Sequence, residues 1–264
     1  MTRRPLPHRA LACAAACLLP AAAWAVNEPG LIYVHTARDG ITAQSAANTT
    51  ILARGQTFTA SGQVITAPPA QPLVLVLSNG SALCLPDGGH LTLTSFTQEA
   101  VADTSNDRDY EPSPSQTNLV LDQGALALAM RVPRPTSTLA ITTPLAQLSC
   151  LSQSLVVIAA PDEVSIAVFD GTVNLTVPST GFTETLQTGQ FATLTRASLS
   201  QKYPLQLAAI SLVQNHQFGS WVEMARWAAA RVDFIRGAKG LHPRLVTPVE
   251  FTKGISVEEP RFLQ

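Results

Sequence analysis

Residues 73–96 read LVLVLSNGSALCLPDGGHLTLTSF, and this stretch decides the fold class. Three short apolar runs are separated by residues 78–80 (SNG) and 86–89 (PDGG). Asn-Gly and Asp-Gly tolerate the positive backbone φ angles of tight hairpin turns, so the stretch predicts a meander of three strands. Its polar residues are mostly the small hydroxyls and amides of turns, which favours a β scaffold that binds or supports over one that catalyses.

The same alternation of short apolar runs and turns continues on both sides of this stretch. Runs rich in Val, Ile, Leu and Thr recur at roughly 8 to 12 residue intervals and are separated by Gly and Pro turns. None of the connections between them has a helical period, so the sequence predicts a mainly β, antiparallel body of the roll or sandwich-like type. The runs lie at 50–53, 57–60, 63–66, 118–121, 124–128, 139–143, 155–158, 164–169, 173–177 and 185–194.

The first 25 residues have the plan of a secretory signal peptide. Three arginines precede an apolar core at 10–19, and the small residues at 23–25 (AWA) predict cleavage after Ala25. Pro20 ends the apolar run before it reaches the ~20 residues of a membrane span. Lipidation at Cys17 is the alternative. We therefore expect an exported protein, periplasmic or extracellular.

Removal of this leader changes the composition. Three of the 17 basic residues leave with it, so 14 basic residues face 18 acidic ones. This balance and the absence of a basic run argue against a nucleic-acid partner. The length predicts one sizeable β domain at 26–200, followed by a C-terminal helix and extended tail at 201–264.

Two cysteines remain in the exported chain, Cys84 and Cys150. In an oxidising compartment a disulfide between them would close a long loop. The alternative is a pair of buried, inert thiols on separate strands. The sequence gives no distance between the two and leaves both interpretations open.

The pattern becomes helical from about Leu205 and is strongest at 220–236, with Ser220 as a cap and Gly237 as the end. After Gly240 the chain is expected to be extended, with one more strand against the body. One face of the predicted helix is apolar and is widened by two further aromatic residues. It either packs over the β body or docks a partner protein. The face comprises Trp221, Met224, Ala225, Ala228, Val232 and Ile235, and the aromatic residues are Trp227 and Phe234.

Catalytic and metal-binding patterns are missing from the sequence. The histidines at positions 8, 35, 90, 216 and 242 never fall at metal-ligand spacing. There is no nucleophile elbow and no phosphate-binding glycine loop, so we expect no catalytic residue, no metal and no cofactor. Four acids at positions 103, 107, 109 and 111 could offer oxygen ligands to calcium, but a solvated loop explains them better.

The order of the motifs resembles the FecR-like domain over residues 50–196, closest to its secreted, stand-alone version. The family usually has a Gly-Thr turn where this chain has residues 149–154 (SCLSQS). The motifs are 54–56 (RGQ), 62–66 (GQVIT), 77–81 (LSNGS), 91–93 (LTL), 124–126 (GAL), 139–146 (LAITTPLA), 169–173 (FDGTV) and 188–191 (TGQF).

The resemblance implies a non-catalytic, extracytoplasmic β domain that senses a signal or binds a protein or glycan of the cell envelope. FecR proteins also have a cytoplasmic segment and a membrane span, which this sequence does not show, so contact with a sigma factor is not expected. Two other functions stay open. One is a structural envelope or surface protein, and the other is a polysaccharide-acting enzyme that uses carboxylates distant in sequence.

Overall fold

The computed structural model describes residues 27–37, 40–60, 62–70, 72–100, 109–151, 153–238 and 240–246. They form a mainly antiparallel β body, one long helix and a C-terminal hairpin, which confirms the predicted fold class. The predicted signal peptide, its cleavage point after Ala25 and the tail from residue 247 lie outside the described residues.

In chain order the first strands are β1 (Asn27–Pro29), β2 (Leu31–Thr36), β3 (Thr42–Gln44), β4 (Thr49–Ile51), β5 (Thr57–Thr59), β6 (Gln63–Ala67), β7 (Leu73–Leu77), β8 (Ala82–Leu85), β9 (Gly89–Glu99) and β10 (Ser115–Ala129). The remaining elements are β11 (Thr138–Thr142), β12 (Gln147–Cys150), β13 (Ser154–Ala160), β14 (Glu163–Asp170), β15 (Thr172–Val177), β16 (Phe182–Gln187), β17 (Gln190–Thr195), a 3₁₀ turn (Arg196–Ser200), β18 (Leu205–Ala209), α1 (Leu212–Arg231), β19 (Val232–Gly237) and β20 (Gly240–Leu245).

Strand β10 joins two layers into one continuous β structure. Its first half pairs with β9 and, in parallel, with β11, whereas its second half pairs with β8 and β13. The front layer has the order β5–β2–β7–β8–β10–β13–β14–β17–β18. The back layer has the order β4–β3–β6–β9–β10–β11–β12–β15–β16, with β1 also on β9.

The central strands of the front layer are buried on both faces. In β7, Leu73, Leu75 and Leu77 face the inner core between the two layers. Val74 and Val76 belong to a separate outer core, which lies on the opposite face and is covered by helix α1. Because both faces are dry, β7 and β8 are apolar at every position instead of alternating with polar residues.

The predicted three-strand meander is only half right. β7 and β8 form the expected hairpin, but β8 pairs with β7 and β10, while β9 lies in the back layer. The turn that ends in Gly88 therefore carries the chain between layers. Gly88 has a φ of 81°, and a Cβ there would lie 2.5 Å from the carbonyl oxygen of Pro68. Gly88 therefore allows two backbone segments to pass close to each other. The sequence alone does not distinguish such a crossing from a hairpin turn.

The helix begins and ends earlier than the sequence predicts. It is capped by Ser211, whose hydroxyl accepts a hydrogen bond from the amide of Gln214 (3.3 Å), and Ser220 lies inside it. After Arg231 the chain turns into the β19–β20 hairpin, so the segment from Val232 onward is extended. The predicted helical start near Leu205 is strand β18. A strand does follow at Gly240, but this strand, β20, pairs with β19 in a separate two-stranded sheet and not with a strand of the β body.

Two turns of the front layer share one hydrogen-bond design. In the turn Ala53–Gln56, the Gln56 side chain accepts from the amide of Ala53 (2.9 Å), and the amide of Gly55 donates to Val34 O (2.8 Å). In the turn Gln187–Gln190, the Gln190 side chain accepts from the amide of Gln187 (2.7 Å), and the amide of Gly189 donates to Val168 O (2.7 Å). The turns precede β5 and β17 and lie against β2 and β14.

Each of these turns also lies beside a β-bulge. Val34 and Thr36 of β2 pair with the adjacent residues Leu75 and Val74, so His35 is an extra residue in the ladder. In the same way, Val168 and Asp170 of β14 pair with Leu155 and Ser154, so Phe169 is extra. We call the bulge at His35 with its turn the first corner, and the bulge at Phe169 with its turn the second corner.

Candidate binding site

Helix α1 packs its apolar residues onto the outer core of the front layer. Among the predicted docking residues, Ala225, Ala228 and Val232 are buried there and Trp221 is half-buried against it. Two further buried positions were not predicted. Phe218 precedes the predicted start at Ser220, and Val222 lies within the predicted helix but outside its predicted apolar face. Phe218 lies between two aromatic rings, with centroid distances of 6.3 Å to Phe191 and 5.2 Å to Trp221.

Other residues of the predicted face remain accessible. Met224 is 41% exposed, Trp227 is 54% exposed, and Ile235 is 40% exposed on β19 instead of the helix. Phe234 is half-buried against the outer core. The predicted face is thus divided between packing and solvent, and its docking role stays a prediction.

The two cysteines are free and lie in different cores. Cys84 faces the outer core, where its Sγ is 3.6 Å from Met224 Sδ, whereas Cys150 faces the inner core. The front layer separates these two cores, so the predicted disulfide between them is not formed. Burial raises the pKa of both thiols to about 12, which keeps them protonated and poorly nucleophilic. The structure therefore corresponds to the alternative of two buried thiols.

A cleft of about 520 Å³ opens between the C-terminal half of α1 and the end of β10. This volume is within the usual range of small-ligand sites. The residues that line it are Gly80, Asp109, Tyr110, Ala129, Met130, Arg131, Val132, Gln153, Arg226, Ala229 and Ala230. A Cβ on Gly80 would lie 2.4 Å from Nε of Arg131 and would displace the arginine, and the φ of 85° at this position also favours glycine.

Two arginines with fixed side chains give the cleft its charge. Arg226 Nη2 donates to Ser154 Oγ (2.9 Å) and Arg226 Nη1 contacts Glu223 Oε1 (2.8 Å). Arg131 Nη2 lies 3.2 Å from Asp233 Oδ1, so the first residues of the hairpin hold it in place. Asp109 contributes a carboxylate to the same lining.

The lining residues define the chemistry of the cleft. Among the described residues that line it, none is a His, Cys, Ser or Lys. Within the described ranges, no three His, Cys, Asp or Glu side chains come together to hold a metal ion. What the cleft offers is an exposed phenol ring, an apolar floor at Ala129 and Met130, and guanidinium donors.

The acidic segment predicted as a solvated loop is divided by the structure. Positions 103 and 107 lie outside the described residues, and Asp109 lines the cleft. Glu111 is buried, and its two carboxylate oxygens accept hydrogen bonds from the hydroxyls of Ser115 and Ser137. The amide of Arg134 also donates to this carboxylate (3.2 Å), so the Glu111 side chain anchors the loop. The sequence offered one signal for this role, the serines that follow Glu111.

The remaining histidines are scattered. His90 lies on β9, where Nδ1 is 3.3 Å from Thr66 Oγ1, and His216 and His242 are exposed on α1 and β20. His35 forms the bulge of the first corner. His8 lies outside the described residues.

Comparison with known proteins gives only distant similarity. No family model matches the chain, and no curated protein matches it. Two crystal structures of a candidate anti-sigma factor from Parabacteroides distasonis ATCC 8503 resemble it with a TM-score of 0.38 and 11% sequence identity. The similar region covers 55% of this chain and 59% of that one. This likeness is too weak to establish a shared fold.

Across the part of the chain that the structure describes, no helix combines the length and apolarity needed to cross a membrane.

Proposed function

We propose that this protein is a non-catalytic, extracytoplasmic binding domain that holds an extended polypeptide segment of a cell-envelope protein. The observation that carries the proposal is the cleft beside α1, which joins Tyr110, an apolar floor and two arginines. The predicted secretory leader and the FecR-like order of motifs support an envelope location and a sensing or interaction role.

The lining of the cleft indicates the chemistry of that segment. The lining carries two guanidinium groups and the carboxylate of Asp109. Arg226 also pairs with Glu223 and Arg131 with Asp233, so a segment carrying Asp or Glu is favoured by hydrogen bonds from these guanidinium groups, not by an excess of positive charge. The exposed Tyr110 ring and the floor at Met130 offer contact area to an adjacent apolar side chain. Arg226 is the most direct anchor, because its side chain is 47% exposed and its Ser154 contact already orients the guanidinium.

The test begins with a displayed library of random peptides selected against the full exported chain. We expect the selected peptides to share an acidic residue next to an apolar one. Their affinity is then measured by fluorescence anisotropy. Loss of the charge in Arg226→Gln is expected to weaken binding about tenfold, the cost of one charge-assisted hydrogen bond.

Two further variants make this result specific to the cleft. Ala229→Trp fills the cleft and should block binding, while Arg196→Gln removes an exposed arginine elsewhere, paired with Asp162, and should leave binding unchanged. If no saturable peptide emerges, or if the selected peptides bind Arg226→Gln and Ala229→Trp as well as the unmodified chain, the proposal is wrong.

A further inference from the structure

The first corner brings together three basic side chains from three different elements. His35 is the bulged residue of β2, Arg54 is at the tip of the Ala53–Gln56 turn, and Arg231 is the last residue of α1. Burial, followed by the charges of Arg54 and Arg231, lowers the pKa of His35. Both guanidinium groups are therefore within electrostatic reach of the His35 imidazole.

The backbone fixes this arrangement. The amide of Gly55 donates to Val34 O (2.8 Å), and the amide of Val34 donates to Gln56 O (2.9 Å), which holds the Arg54 turn against the bulge. β-bulges redirect a side chain out of the regular alternation of the strand and recur beside functional sites. On the helix side, the Arg231 guanidinium lies 3.4 Å from the ring centroid of Trp227, which limits its movement.

The charges at this corner are not neutralised by the described residues. Five other arginines pair with carboxylates, and Arg134 donates to the main-chain oxygen of Glu111. Within the described ranges, by contrast, neither Arg54 nor Arg231 has an acidic partner. Among the described residues, the two guanidinium groups beside His35 therefore contribute positive charge that no paired carboxylate offsets.

The second corner shows what the same backbone holds when it serves packing alone. Its bulged residue is Phe169, which packs against the outer core, and its turn carries Thr188 in the place of Arg54. Thr188 Oγ1 is bonded to the amide of Gly171 (2.9 Å). An apolar bulge residue and a satisfied hydroxyl therefore suit this scaffold. The histidine and the two arginines of the first corner are not required by the backbone that carries them.

We propose that His35, Arg54 and Arg231 form a binding site for an oxyanion, a carboxylate or phosphate group carried by a ligand. Each guanidinium can donate two parallel hydrogen bonds to such a group, and the imidazole adds a third donor. Trp227, 54% exposed beside Arg231, offers an apolar surface to the part of the ligand that bears the anion. The site lies on the other flank of α1 from the cleft, which Arg226, Ala229 and Ala230 line. It is therefore independent of the proposed peptide site.

The test uses the full exported chain with isotope-labelled histidine, and follows the His35 imidazole by NMR. The probes are inorganic phosphate, galacturonate and the uncharged sugar galactose. We expect phosphate or galacturonate to shift the His35 resonances saturably and to raise the pKa of His35, because a bound anion stabilises the imidazolium. The probe with the higher affinity shows whether the natural ligand carries a phosphate or a carboxylate group. Galactose should produce no shift.

Variants of the corner complete the design. Arg54→Gln and Arg231→Gln should each lower the affinity for the anion about tenfold, whereas Arg196→Gln should leave this affinity unchanged. His35→Phe, which copies the second corner, should fold and should lose the site, measured by calorimetry. The proposal is overturned if neither anion gives a saturable shift, if galactose gives the same one, or if both corner arginine variants bind as well as the unmodified chain.

Discussion

The two corners of the front layer have the same backbone and different contents. Each combines a bulge with a turn in which a Gln side chain accepts from the amide three residues earlier. In the second corner the bulged Phe169 packs into the outer core, whereas in the first corner the bulged His35 meets two arginines. The shared parts should therefore contribute equally to stability, and the parts that differ should separate packing from recognition. The following variants test that separation.

The largest difference is expected at the bulged residues themselves. Phe169→Ala should lower the free energy of unfolding by about 2 kcal/mol, because a half-buried ring leaves the outer core. His35→Ala should change it by no more than about 0.5 kcal/mol near neutral pH, since His35 contributes little packing. Guanidinium titration of both variants measures the difference. Equal losses would show that His35 is a packing residue like its counterpart.

The turn glycines should respond alike. Gly55 and Gly189 have φ angles of 90° and 83°, and a Cβ at either would meet no atom within 4 Å. The cost of alanine is therefore conformational, about 1 kcal/mol at each position. Gly219→Ala in α1 is the control and should be neutral or stabilising, since its φ is not positive and the nearest atom lies 3.9 Å away. Thermal unfolding curves that separate the two turn variants widely would contradict the shared design.

A smaller, equal effect is expected for the side chains that close the turns. Gln56→Ala and Gln190→Ala each remove one exposed hydrogen bond to a backbone amide, worth roughly 0.5 kcal/mol. Gln206→Ala on the exposed edge strand β18 serves as the control and should have no measurable effect. Urea titrations compare the three. A loss at only one of the two turns would mean that the bonds are not equivalent.

The sequence predicted the turn of the first corner, but neither bulge. Residues 54–56 (RGQ) separate two predicted strand runs and contain a glycine, which is a local turn signal, whereas residues 188–191 (TGQF) lie inside the single predicted run 185–194. A bulge depends on register with a strand distant in sequence: β7 for His35 and β13 for Phe169. No local pattern reports that register, so His35 could only be judged a scattered histidine.

The same limit explains the C-terminal region. Apolar residues up to Ile235 fit a helical period, but pairing with β20 makes 232–237 a strand, and this pairing is not local information. The helix face was predicted from its spacing, and half of it does pack on the outer core. Neither binding site could be located in advance. The cleft needs Arg226 of α1 to meet Arg131 after β10, and the corner needs Arg231 to meet His35.

The pH dependence of stability gives the finest distinction between the corners. Burial and the two arginines lower the pKa of His35 below its ordinary value of 6.5, so the folded state resists protonation while the unfolded state accepts it. Above about pH 6.5 the imidazole is neutral in both states and has no effect. As the pH falls below that value, the unfolded state gains protons first and the free energy of unfolding decreases, until the folded-state pKa is passed.

His35→Phe, with a bulge like that of the second corner, should lose this contribution, and Arg54→Gln should reduce it. Urea titrations from pH 8 to pH 5 measure it. Parallel profiles for the unmodified chain and His35→Phe would show that the pKa of His35 is not lowered, and equal profiles for the unmodified chain and Arg54→Gln would show that Arg54 does not act on the histidine.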